Sequence, residues 1–135
     1  METEYFDQSL FLAARLVENS QHDDAIVVLR PLIECDLNYF QKCIVCVNMA
    51  IIFGQKGQDS DALAWYDHAI EYERAHGRFF AAERKAAFMA EKGWTTESLS
   101  MYEKLLSAPS LTDEDEERIR TNLSTLKARL GQSSA

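Results

Sequence analysis

Proline and glycine are scarce, two and five in 135 residues, which argues against a loop-rich fold. Basic residues are outnumbered. Fourteen Lys and Arg face 22 Asp and Glu, for a formal net charge of −8 and a pI of about 4.8. No Lys/Arg cluster interrupts this acidic background. Such a surface repels phosphate backbones and anionic lipid, so we expect neither a nucleic-acid partner nor a membrane. Long hydrophobic runs are missing too. The most apolar stretch, Cys43 to Phe53, contains Asn48 and is too short to span a bilayer. The opening METEYFDQ carries acids where a secretory leader carries bases, and no apolar segment follows. A cytoplasmic protein is the expectation. The three cysteines, Cys35, Cys43 and Cys46, are an odd number without a secretory signal, which points to reduced thiols.

Signatures of chemistry are equally thin. No glycine-rich phosphate loop, catalytic carboxylate pair or Ser/His/Asp arrangement can be assembled from the sequence. Asp67, His68 and Glu71 sit close together, but the apolar pattern around them places Trp65 or Tyr66, Ala69 and Ile70 inward. The three polar residues therefore lean toward water, and no nucleophile lies nearby in sequence. Cys43 and Cys46 have the spacing of a redox or zinc motif. A thioredoxin-like site needs a βαβ context, and a zinc site needs four ligands, commonly with a second Cys or His pair. Neither is present, so small thiols on a buried helix face are the simpler reading. We expect no catalytic centre, no metal site and no cofactor. Trp94, just after Gly93, is expected to pack under a turn. The run DEDEE reads as a solvated helix start favoured by the helix dipole.

What the sequence does have is helical periodicity almost from end to end. Phe6, Leu10, Ala13, Ala14 and Val17 form one stripe, and Ala25, Val28, Leu29, Leu32 and Ile33 a second. Pro31 falls inside that second helix and should kink it. A longer helix spans about Tyr39 to Lys56 and closes at Gly57. Asp59 or Ser60 is placed to cap the next, and a fifth runs from about Arg78 to Lys92. Thr95 or Thr96 is placed to cap the sixth, and Ile119, Leu123, Leu126 and Leu130 mark a seventh. No strand signal interrupts this series. Layering helix on helix is the only way such a pattern can bury its stripes.

The helices also repeat. From Ala50, fixed offsets lead to Phe53, Gly57, Ala62, Tyr66, Ala69 and Ile70. From Ala13 the same offsets give Leu16, Ser20, Ala25, Leu29, Leu32 and Ile33. From Ala86 they give Met89, Gly93, Ser98, Tyr102, Leu105 and Leu106. The order each time is small, large, turn, small, large, then two apolar residues. A period of roughly 20–50 residues signals an array of supersecondary units. Two antiparallel helices approach closely only where a small side chain faces the partner, so the small positions are the expected contact points.

This pattern resembles the tetratricopeptide repeat (TPR) family over about Phe6 to Leu130, most closely in the second unit. There are departures. The family's unit is shorter by two or three residues, its early tryptophan is replaced by Cys46 in the second unit, and its closing proline is missing unless Pro109 serves after the third. The resemblance implies an all-α solenoid, a single domain of three antiparallel helix hairpins at about 6–38, 39–76 and 77–108, with a C-terminal capping helix at about 112–130. It also implies a non-catalytic protein–protein interaction module, an adaptor or scaffold that binds a peptide or partner helix in a concave groove. Groove residues would be Leu10, Ala14 and Val17 in the first unit, and Ile44, Val47, Asn48 and Ile51 in the second. In the third they would be Phe80, Glu83, Arg84 and Ala87. Some relatives clamp a chaperone's C-terminal carboxylate there. Asn48 and Arg84 fall at two of those five places, but Leu10, Ala14 and Phe80 occupy the rest and cannot donate, so no such tail is expected. Two alternatives are a thiol-based or metal-responsive protein using Cys43 and Cys46, and a module that pairs with a second copy of itself.

Overall fold

The computed structural model describes residues 2–134, which form seven α-helices and one 3₁₀ turn. They are α1 (Glu2–Glu18), α2 (His22–Leu29), α3 (Tyr39–Gln55), α4 (Asp59–Arg74), α5 (Phe80–Glu91), α6 (Thr95–Leu106) and α7 (Asp113–Ser134). The 3₁₀ turn, Arg30–Glu34, prolongs α2. Pro31 therefore acts more sharply than a kink. Lacking an N–H, it ends the α-helical ladder at Leu29, and the chain continues in the tighter winding. The fold is an all-α set of helix hairpins followed by a C-terminal helix. Contacts divide it into two units, Met1–Ala75 and His76–Ala135.

The first unit holds two hairpins, α1 on α2 and α3 on α4, with α2 also packed on α3. The second holds the hairpin α5 on α6, with α7 packed on α6. Each hairpin turns in the same way. Ser20, Gly57 and Gly93, the equivalent turn positions, all lie in the left-handed region, with φ of 62°, 78° and 82°. In each turn the next residue's N–H reaches five residues back: Gln21 to the Leu16 carbonyl at 2.7 Å, Gln58 to Phe53 at 2.9 Å and Trp94 to Met89 at 2.9 Å. This is the helix-terminating bond pair that a left-handed residue makes available. Glycine adopts that conformation without strain, whereas Ser20 pays for its Cβ.

The small positions are buried, as close packing of paired helices requires. Ala50 and Ala62 are fully buried, as are Ala25, Ala86 and Ser98. In the third hairpin the contact is direct: Ser98 Oγ donates to the Ala86 carbonyl oxygen at 2.7 Å. The large positions Leu29, Tyr66 and Tyr102 are buried beside them. In the second unit, Ile119, Leu123 and Leu126 of α7 close a core around Ala86 and Tyr102, while Leu130 is exposed.

Helix starts depart from the expected caps. Asp59 and Thr95 are first helical residues, and the capping positions belong to Gln58 and Trp94, neither making a side-chain cap bond. The Gln21, Gln58 and Trp94 carbonyls accept from Ala25, Ala62 and Ser98 at 3.0–3.1 Å, the first bond of each helical ladder. The turn geometry thus runs straight into the next helix. The best-built start is at α3. Asn38 Oδ1 accepts from the Gln41 N–H at 2.8 Å, and Gln41 Oε1 accepts from the Asn38 N–H at 3.0 Å.

Candidate functional site

Helix α3 is apolar nearly all round and is buried accordingly. From Cys43 to Phe53 only Ile44, Asn48 and Ile51 keep partial exposure. Their spacing, i, i+4 and i+7, is one face of a helix. Three of the four residues expected to line a groove on α3 are these three. The fourth, Val47, is only 3% exposed and belongs to the core.

Facing that stripe is α1. Leu10, Ala14 and Val17 are half-buried or exposed, and together with Asn48 and Ile51 they line a pocket of about 200 Å³. Ala13, Ile52 and the fully buried Leu29 of α2 complete its walls. The pocket exists because α1 and α3 each pack on α2. Asn48 is its single polar residue. One Asn48 N–H donates to the Ile44 carbonyl at 3.0 Å. Among the described residues Oδ1 accepts nothing, which leaves an acceptor at the pocket wall.

The residues expected on α5 have a different setting in the second unit. Phe80 is exposed, with the Arg84 guanidinium 5.7 Å from its ring centroid. Ala87 is half-buried. Glu83 is engaged: Arg118 of α7 donates to both its carboxylate oxygens at 2.7 and 2.6 Å, and to Asp115 at 2.7 Å. These bonds hold Asp115 below the usual carboxylate range and the Arg118 guanidinium above its own. Thr112 Oγ1 accepts from the Asp115 N–H at 3.1 Å, so the same network fixes the start of α7.

The cysteines lie in the core. Cys43 and Cys46 are each 1% exposed. Burial pushes the Cys43 thiol up to about 12, reinforced by Glu73, whose carboxylate accepts from Cys43 Sγ at 3.6 Å. Burial pushes Cys46 up to about 11, against a small opposing pull from Lys42. A thiol reacts or binds metal as thiolate, and both environments suppress it. Cys35, half-buried, donates to the Pro31 carbonyl at 3.5 Å. Among the described residues no three His, Cys, Asp or Glu side chains gather closely enough to hold a metal ion. No helix there is long and apolar enough to cross a membrane.

Glu73 itself escaped the sequence reading. It is 2% exposed and follows Ala62, Tyr66 and Ala69 at spacings of four, three and four. The stripe it continues was the available signal. Asp67, His68 and Glu71 are exposed on the opposite face of α4, as expected. His68 meets the Trp65 ring edge at 5.5 Å between centroids, and Glu71 pairs with Arg74 at 2.9 Å. Trp94 packs at its turn against Phe88, 5.9 Å between centroids. The chain matches no protein-family model and no curated protein.

Proposed function

We propose that the chain is a non-catalytic protein–protein interaction module of TPR-like plan, an adaptor that seats a partner segment between α1 and α3 of its first unit. The observation that carries this is the accessible stripe Ile44, Asn48 and Ile51 on a helix otherwise buried, opening onto the apolar pocket lined by Leu10, Ala14 and Val17. A fold that leaves partial exposure at one stripe of its most apolar helix has a surface suited to being covered. Phe80, Arg84 and Ala87 of α5 form a separate patch on the second unit within the same proposal. Glu83 supports that patch through Arg118.

The test compares capture of partners by the unaltered chain, by Ile51→Glu and by Ser124→Glu, an exposed position on α7. Val47 is unsuitable because a charge there would enter the core. We expect Ile51→Glu to keep its helical circular dichroism and lose the captured protein, while Ser124→Glu retains it. Equal capture by both variants would refute the pocket as the binding site.

A further inference from the structure

We infer that the segment seated between α1 and α3 presents one aromatic or large aliphatic side chain flanked by a lysine or arginine. The inference rests on the proposed reading of this pocket and specifies its occupant. Size comes first. An apolar cavity of about 150 Å³ admits a benzene ring, whereas sites for drug-sized ligands run from about 300 Å³ upward. At about 200 Å³ this pocket suits a single anchoring side chain and is small for a free metabolite.

Charge comes second. Along α1, Asp7, Phe11, Ala14 and Glu18 succeed one another at spacings of four, three and four, and all are exposed. They form the outer lip of the wall to which Ala14 contributes. Phe11 is 67% exposed there, and carboxylates stand at both ends of the stripe. The facing stripe of α3, Gln41, Ile44, Asn48, Ile51 and Gln55, has no charge at all. Arg15, the nearby cation on α1, lies over the Phe11 ring at 5.9 Å. The outer lip on α1 therefore carries two carboxylates, while the pocket beneath it offers an apolar hole and an amide oxygen on Asn48 that accepts nothing among the described residues. A cationic donor beside a ring complements all three.

The inference is tested on the full chain with three small probes of one shape: 2-phenylethylammonium, 2-phenylethanol and 3-phenylpropionate. Methyl signals of Ala14 and Ile51 and the Asn48 side-chain amide report binding by NMR. Ligands of this size should bind with Kd of about 1–10 mM. The cation should bind about three- to tenfold tighter than the anion, a preference that fades with added salt. The double variant Asp7→Asn, Glu18→Gln should remove it. Equal affinity for all three probes would overturn the basic partner and leave the pocket reading standing. No shift at Ala14 or Ile51 with any probe would overturn both.

Discussion

Replacing Ala62 by Leu places three extra carbons where α4 meets α3, at a residue with no exposure. The helix preference of Leu is within a few tenths of a kcal/mol of that of Ala, so backbone propensity contributes little. The cost is steric. Extra methylenes in a filled interior force off-rotamer side chains or separate the helices, for about 1–3 kcal/mol, sometimes more. For a chain of this length, each kcal/mol lowers the midpoint by about 3–5 °C. A fall in Tm of about 3–15 °C is therefore expected, followed by circular dichroism and by tyrosine or tryptophan fluorescence. Ala64→Leu, two residues away on the same helix but exposed, supplies the control and should stay within about 0.5 kcal/mol of the unaltered chain. If both variants unfold alike, the small positions are not close contacts, and the structural meaning given to the repeat fails.

Native-state alkylation at pH 8 should label Cys35 first, while Cys43 and Cys46 react only as fast as the protein opens. With the Cys43 thiol near 12, about one molecule in ten thousand carries its thiolate at that pH; rapid labelling of either buried cysteine without unfolding would contradict its placement. The same thiols predict alkaline weakening. Their folded values of about 12 and about 11 lie above the ordinary 9.0, so the stability they contribute is full below pH 9 and is lost as pH rises toward 11–12. Urea titrations across that range should show a declining midpoint in the unaltered chain and a flatter one in the double variant Cys43→Ala, Cys46→Ala. Arg118→Ala should destabilise the second unit by about 1–2 kcal/mol, through lost bidentate bonds to the mostly buried Glu83. Asp115 has a lowered pKa, chiefly through Arg118. Its contribution is full above the ordinary carboxylate value and lost as pH falls through the lowered one. The gap between Arg118→Ala and the unaltered chain, read by acid titration, should narrow there; a constant gap would count against the ion pair.

The hairpins were legible because their cause is local and repeated. A small residue, a turn residue and a large residue at fixed offsets leave a periodic trace, and Ser20, Gly57 and Gly93 share one backbone geometry despite different identities. The accessible stripe on α3 was legible only in part. Ile44, Asn48, Ile51 and Val47 look alike in sequence, and tertiary packing decides that Val47 is covered. The pairing of Glu83 with Arg118 left no trace in the sequence because the two lie 35 positions apart on different helices. The expected caps Asp59 and Thr95 fall one residue late because the turn places Gln58 and Trp94 at the capping positions. The Asn38–Gln41 capping box follows a known signature, with Asn in place of Ser or Thr.

The central claim is that a protein partner occupies the space between α1 and α3. A photoreactive phenylalanine analogue placed at position 14, on the pocket wall, and separately at position 124, on α7, tests it most directly. Position 14 should crosslink to the captured partner, the Ile51→Glu change should abolish the product, and none should form from position 124. Crosslinking from position 124 alone would contradict it.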